Sequence, residues 1–193
     1  MELNNYEYII ASLPVLQQGY DGALDTGAVA EEIRSGLSQK DAAALSFLSA
    51  GLEGSALGEQ FYKDAAASRN SFIRDYFAYD LGLRNAKAAY LNKALGRPEG
   101  KDLLPSAEEF EDAAKAQEVL SNTDILARER GIDDLLWAKA EELTQMHIFA
   151  LDVILAFVVK LHIVGRWLAL DEQRGRELFR KMVKDIKETA NSK

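Results

Sequence analysis

The stretch from 133 to 168 constrains the fold of this chain more than any other feature. Its apolar residues recur at spacings of three, four and seven, which predicts one continuous helix about 54 Å long. Further apolar residues lie outside that stripe, so the helix is hydrophobic on nearly every side. The stripe is Leu136, Leu143, Met146, Ala150, Val153, Phe157, Leu161, Val164 and Leu168, and the further residues are Ile148, Phe149, Ile154, Leu155 and Val158.

Two charged residues decide whether this helix spans a membrane or forms a protein core. Residues 146–164 approach the length of about 20 residues that crosses a bilayer. Asp152 and Lys160 lie inside that window, and each charge at the bilayer centre costs about 2.5–3.5 kcal/mol. We therefore predict a buried core helix, with Asp133 as its N-terminal cap.

A second long helix is predicted over 58–95, where aromatic and aliphatic residues repeat at helical spacing. Gly82 lies inside it and predicts either a bend or the close approach of another backbone. A shorter helix is predicted over 26–36, and cap-like patterns predict others over 39–50, 106–120 and 121–131. Asp171 predicts a last helix over 171–189, which either continues the preceding helix or follows a turn at 169–171.

The fold class that follows is all-α, an elongated multi-helix bundle with two long helices. Only three prolines interrupt the chain, which leaves room for long helices. A length of 193 residues favours a single domain over 1–193. The polar loop 96–105 allows a subdivision into 1–100 and 101–193.

Composition excludes several classes of protein. A net charge of −8 argues against a general nucleic-acid binder, which needs a basic surface. The absence of cysteine excludes a disulfide scaffold, a thiolate metal site and a cysteine nucleophile. The N-terminus has no basic and apolar blocks typical of a signal peptide. We expect a cytoplasmic protein.

No motif predicts an enzyme, a cofactor or a metal site. His147 and His162 are fifteen residues apart, roughly 22 Å along one helix, so they cannot share a metal ion. Thr144 and Val159 stand where a di-iron bundle needs glutamate three residues before each histidine. Neither a phosphate-binding loop nor a nucleophile elbow occurs. A structural ion pair is favoured over a functional one for Asp152 and Lys160.

Two groups of charged and polar residues are candidates for docking a partner protein. Asp80 and Arg84 form an i,i+4 pair on the second long helix. The alternative for both groups is a solvated, salt-bridged helix surface. The first group is Arg74, Asp80, Arg84, Asn85 and Lys87, and the second, near the C-terminus, is Arg174, Arg176 and Arg180.

Three stretches carry a family resemblance. Residues 6–14, read as Tyr-Glu-Tyr-Ile-Ile-Ala-Ser-Leu-Pro, resemble the start of an uncharacterised bacterial domain family encoded in operons for V/A-type ATP synthases. Residues 74–87 look like the C-type (or d-type) connector subunit of those rotary ATPases, and residues 168–180 look like a weaker second copy of that motif. The resemblance implies part of the fold of that connector and a non-catalytic, mechanical role. The connector joins the central stalk to the membrane rotor ring.

Three functions therefore compete. The first is a non-catalytic subunit or connector of a V/A-type ATPase, whose partners would be the central stalk or rotor and whose contact with the inner membrane face would be indirect. The second is a helical adaptor or regulator with no tie to the ATPase. The third is a small-molecule-binding bundle, which predicts an apolar pocket lined by the 133–168 helix.

Overall fold

The computed structural model describes residues 6–19, 23–54, 57–107 and 109–170. Every regular element within these ranges is an α-helix, so the predicted all-α class is confirmed. The predicted helix over 171–189 lies outside the described residues. The helices are α1 Glu7–Ser12, α2 Thr26–Gly36, α3 Gln39–Leu52, α4 Glu59–Ala66, α5 Ser71–Ala94, α6 Ala113–Leu120, α7 Ile125–Glu142 and α8 Leu151–Leu168.

The predicted single helix over 133–168 is wrong, because the chain reverses direction in its middle. The second half of α7 and the C-terminal half of α8 are antiparallel neighbours. Lys160 Nζ donates to Glu141 Oε1 at 2.8 Å near one end of the pair, and Arg166 pairs with Asp133 near the other. The two halves of the predicted helix therefore cover each other.

The spacing of the apolar residues does not reveal the turn between α7 and α8. Met146 continues the predicted stripe, yet it is 90% exposed. Local polar contacts hold the turn instead: Thr144 Oγ1 donates to the Ala140 carbonyl at 3.0 Å, and His147 Nδ1 lies 3.0 Å from Asp152 Oδ2. A straight helix of this length would leave apolar surface in water, whereas the hairpin buries it.

The predicted helix over 58–95 is also interrupted, at residues 67–70. Asn70 caps α5, because its Oδ1 accepts a hydrogen bond from the Ile73 amide at 2.8 Å. Asparagine favours such caps over helix interiors, and this signal outweighed the apolar repeat. The predicted boundaries of α2 are confirmed, and Ser38 caps α3 as predicted.

Helix α7 begins earlier than predicted and passes through Gly131. Asp124 caps it, since its Oδ1 accepts from the amides of Leu126 and Ala127. Gly131 does not end a helix but permits close packing, because a Cβ there would lie 2.7 Å from Val119 Cγ1. The helix predicted over 106–120 begins only at Ala113.

Two apolar clusters hold the helices together. The larger draws buried residues from α2, α3, α4, α5, α7 and α8, and α8 packs against α2, α3 and α7. The smaller lies between α5, α6 and α7. Helices on both sides of the 96–105 loop share these clusters, and the subdivision at that loop stays a prediction.

Insertion into a membrane is the alternative to a buried core helix for residues 133–168. Within the residues that the structure describes, no helix has the combination of length and apolarity needed to cross a bilayer.

Asp133 joins the two helices of the hairpin from inside the protein. Its side chain is 3% exposed, and it accepts hydrogen bonds from Arg166 and from Trp167 Nε1, the latter at 2.7 Å. Burial raises the pKa of Asp133 even though Arg166 opposes the shift. Asp133, predicted as an N-terminal cap, is therefore a buried hydrogen-bond acceptor in the interior of α7.

Replacing this acceptor should weaken the hairpin. We expect Asp133→Ala to lower the free energy of unfolding by about 2–4 kcal/mol, because Trp167 Nε1 loses its acceptor and Arg166 its partner. Asp133→Asn should lose less, since an amide oxygen still accepts and no charge is buried. Urea unfolding measures both, with the exposed neighbour substitution Asp134→Ala as the control. Equal losses in the Asp133 and Asp134 alanine variants would contradict this role.

The partly buried His162 predicts how stability responds to acid. Burial lowers the pKa of His162, Arg166 lowers it further, and Asp133 and Glu53 oppose the shift. The unfolded chain then binds the proton at higher pH than the folded chain does. This contribution is complete above the unfolded pKa of about 6.5 and is lost as pH falls from there through the lower pKa of the folded chain.

His162→Gln should therefore flatten the decline in the free energy of unfolding between about pH 7.5 and pH 5. Denaturant unfolding at several pH values measures the slope. An unchanged slope in the variant would refute the assignment to His162.

Candidate functional site: a groove along α5

An open groove of about 740 Å³ runs along α5. Helix α4 lines one side, residues 105–107 and 109–111 (the 105–111 wall) line the other, and α5 lies between them. Helical periodicity places Arg74 and Ala78 on the middle of the α5 face that lines the groove. Ala78 is exposed there, so the floor of the groove is shallow and accessible to another chain.

Hydrogen bonds within the protein engage the tyrosine hydroxyls of the groove. Tyr62 donates to Asp80 Oδ2 at 2.6 Å and Tyr79 donates to Asp112 Oδ2 at 2.9 Å. Burial raises the pKa of both phenols, and these carboxylates raise it further. Both hydroxyls therefore stay protonated and are unsuited to act as bases.

Lys139 is the residue of α7 that lines the groove. Its Nζ donates to Glu111 Oε1 at 2.6 Å and to Glu142 Oε1 at 3.0 Å. Burial alone would lower the pKa of Lys139, but the two carboxylates outweigh burial and raise it. Lys139 is charged at neutral pH and joins α7 to the 105–111 wall.

The groove keeps a small surplus of negative charge. Glu59 pairs with Lys63, and Glu111 pairs with Lys139. Among the described residues, the groove carboxylates Asp75 and Glu109 have no ion pair or hydrogen bond through their side chains. Arg74 also lines the groove and has no carboxylate partner in the described part of the chain, so the surplus is one negative charge. A positively charged partner would meet the two unpaired carboxylates at the rim of this surface.

Gly82 is what brings the 105–111 wall close to α5. A Cβ at this position would lie 2.3 Å from Phe110 Cδ2, and the Phe110 ring packs edge-on against Tyr79 at 5.1 Å. The sequence predicted either a bend or the close approach of another backbone at Gly82. The approaching group is a side chain.

The predicted docking residues of α5 do not form one surface. Arg74 lines the groove, and its Nη1 donates to the Ser68 carbonyl at 2.9 Å. Asp80 is 7% exposed and accepts from Arg84 Nε at 2.7 Å as well as from Tyr62. Asp80 therefore lies behind the groove, where it ties α4 to α5.

The other two predicted residues of α5 also bind inside the protein. Asn85 exchanges two hydrogen bonds with the Leu104 backbone, at 2.8 and 3.0 Å, and Lys87 Nζ donates to Glu129 Oε1 at 2.8 Å. Arg174, Arg176 and Arg180 lie outside the described residues. Sequence reasoning missed Tyr62, Ala78 and Phe110, for which only Gly82 gave a signal.

The third hypothesis predicted a pocket along the 133–168 stretch. A cavity does lie there, between Asp133, Trp137, Ile163 and Trp167, but its volume is about 20 Å³. That is room for about one water molecule. From this stretch, whose residues the structure describes throughout, only Lys139 lines the groove along α5.

Comparison with known families gives one match. Residues 102–190 match the model of a family described as a protein of unknown function, DUF2764. The match covers a little under half of the chain and includes the 105–111 wall of the groove. It includes neither residues 6–14 nor residues 74–87. No curated protein and no solved structure matches the chain.

The substitution Gly82→Ala tests the packing of the 105–111 wall against α5. Alanine normally stabilises a helix by about 1 kcal/mol relative to glycine, but here its Cβ would collide with Phe110. We expect a net loss of about 1–3 kcal/mol from overpacking, together with faster amide hydrogen exchange over 105–111. Gly100→Ala is the control, because a Cβ there meets no atom within 4 Å. A more stable Gly82→Ala protein would contradict the proposed packing.

Proposed function

We propose that this chain is a non-catalytic protein that acts by binding a segment of a partner protein in the groove along α5. The observation that carries the proposal is the groove itself. Its volume of about 740 Å³ is within the range of roughly 300–1,000 Å³ found for binding sites, and its hydroxyls are engaged internally. The shape and the charge of the groove favour the binding of a partner over catalysis.

The partner segment that fits is amphipathic and basic. The exposed Ala78 floor and the Phe110 wall favour apolar side chains, and Asp75 and Glu109 favour lysine or arginine. A helix laid in a groove meets both requirements at once, with its apolar residues inward and its charges at the rim.

We further propose a V/A-type ATPase as the complex to which the partner belongs. This step rests on the resemblance of residues 6–14 and 74–87 to proteins of that system. In this role the chain is an accessory or connector protein, and it reaches the membrane only through its partners. Asp80, Arg84 and Asn85 then serve docking indirectly, by fixing the shape of the groove.

A helical adaptor unrelated to the ATPase would use the same groove. The two proposals differ only in the identity of the bound protein, so one capture experiment separates them. Small-molecule binding remains the third candidate, because the groove volume also suits a ligand of moderate size.

Ala78→Arg should abolish partner capture, because a long charged side chain on the floor would fill the groove. The tagged chain is incubated with solubilised membranes of its source organism, and bound proteins are quantified by mass spectrometry. We expect V/A-type ATPase subunits with the unmodified chain and at least about tenfold less with Ala78→Arg, equivalent to about 1.4 kcal/mol or more.

The matched control is Ala89→Arg. Ala89 is also exposed on α5 and lies three turns further along almost the same face, outside the groove. Ala89→Arg should leave capture unchanged. Recovery of another protein that depends on Ala78 would support the adaptor alternative. Equal capture by the Ala78→Arg and Ala89→Arg variants would rule out the groove.

A further inference from the structure

Large aliphatic residues are exposed together where α5 ends and α7 begins. Ile125 and Leu126 are the first two residues of α7, so their side chains point about 100° apart and the helix starts with apolar surface on two sides. Leu91 lies in the last turn of α5, and Leu95 follows one turn later. All four residues are between 37% and 72% exposed.

Two contacts show that α5 and α7 run antiparallel. Near the end of α5, Lys87 Nζ donates to Glu129 Oε1 at 2.8 Å. Earlier in α5, the centre of the Tyr79 ring lies 5.3 Å from Lys139 Nζ, which belongs to a later part of α7. The end of α5 therefore lies beside the start of α7.

This antiparallel register places the four aliphatic residues on one surface. Leu91 follows Lys87 by one helical turn, and Ile125 precedes Glu129 by one turn, so both lie at the same level beyond the ion pair. The surface, named the α5–α7 patch, consists of Leu91, Leu95, Ile125 and Leu126.

The α5–α7 patch is large enough for a contact between two copies of the chain. Its four residues expose about 450 Å², and the largest apolar patch on a monomer covers about 300–600 Å² and is often functional. Two such patches in contact bury about 900 Å², and the polar residues around them bring the total near the roughly 1,200 Å² at which stable interfaces begin.

The charge around the patch allows a second copy to approach. Residues 87–102 and 118–130 contain 6 basic and 5 acidic residues, out of 23 and 31 in the whole chain. The rest of the chain therefore holds 17 basic and 26 acidic residues, a net charge of −9 against +1 at this end. Two acidic chains repel each other least where this end of one faces the same end of the other. Apolar surface then meets apolar surface as well.

We propose that two copies of this chain associate through the α5–α7 patch about a two-fold axis. Such a contact uses the same residues on both copies and closes at a dimer. The association is independent of the proposed docking function. The groove stays accessible in the dimer, because Gly82 lines the groove and precedes Leu91 by nine residues, about 14 Å along α5. A dimer presents two grooves, so a partner with two docking segments binds with increased avidity.

Sedimentation equilibrium of the full purified chain measures this association. We expect the mass to rise from 21.4 kDa toward twice that value, with a dissociation constant on the order of 10 μM for an interface of this size. Leu95→Glu and Ile125→Glu together should raise the dissociation constant at least about tenfold, because four carboxylates would enter an apolar contact. Circular dichroism establishes that the variant remains folded.

The matched control is Tyr8→Glu together with Met146→Glu. Both residues are large, apolar and exposed, and Met146 lies beyond the opposite end of α7 from the patch. The Tyr6 amide donates to the Phe149 carbonyl, which places α1 beside that end. This variant adds the same number of carboxylates and should leave the dissociation constant unchanged.

The response to salt distinguishes an apolar contact from a contact made by ion pairs. Raising sodium chloride from about 0.05 M to about 0.5 M should lower the dissociation constant, because screening weakens the repulsion between two acidic chains. A dissociation constant that rises with salt would assign the contact to ion pairs and would overturn the proposal.

Three further results would also overturn it. A mass that stays at 21.4 kDa up to about 200 μM would show that the patch serves another occupant. A mass that grows beyond the dimer would indicate open-ended stacking of copies. Equal effects of the patch and control variants would place the contact elsewhere. Partner capture is tested separately by Ala78→Arg, at a position about 20 Å from Leu91 along α5.

Discussion

Helix α8 is apolar on nearly every side. Its apolar surface has to be removed from water, and this requirement determines how the other helices pack around it. Helix α7 covers one side, while α2 and α3 cover the others. Even the short α1 is joined to the approach of α8, since the Tyr6 amide donates to the Phe149 carbonyl at 3.2 Å. The start of α5 is tied to it by Asn70 Nδ2, which donates to Asp152 Oδ1 at 2.8 Å. The charge that argued against a membrane span thus connects two helices in the core.

Buried polar contacts extend this arrangement to the groove. Asp80 links α4 to α5, and Asn85 and Asn92 hold the backbone that leads into the 105–111 wall. Asn92 is fully buried and donates to the Lys101 carbonyl at 2.6 Å. Such bonds are strong in a low-dielectric interior and are costly to leave unmade. The shape of the groove therefore depends on polar residues that lie behind its surface.

Sequence reasoning located helices better than it located their ends and partners. Caps such as Ser38 gave correct starts, because a cap is a local hydrogen bond that the sequence encodes directly. The apolar repeat through 133–168 could not reveal a reversal, since a hairpin preserves the same spacing on both sides. Burial of apolar surface in the tertiary structure favours two helices over one. Met146 continues the apolar repeat but is exposed in the turn, so the repeat fails as a guide to burial there.

The groove was harder to predict for a different reason. Its floor is an exposed alanine, and its walls come from segments distant in sequence. The sequence analysis selected charged residues of α5 instead, but positions 80, 84 and 87 lie within about 60° of one another around the helix and about 80–140° away from position 74. Of these four, Arg74 alone lines the site. Gly82 was a usable signal, because a glycine within an aromatic helix has a steric reason to be there.

The pairing of α7 with α8 also limits how the length of this chain can vary. Asp133 pairs with Arg166 and Glu141 pairs with Lys160, so two ion pairs fix the register between the second half of α7 and the C-terminal half of α8. Removing one residue from either helix between these contacts would rotate the remainder by about 100° and separate one pair. The 143–150 turn lies outside the segments that these two ion pairs join, so it can lengthen without disturbing them. Insertions and deletions among related sequences should therefore collect in this turn.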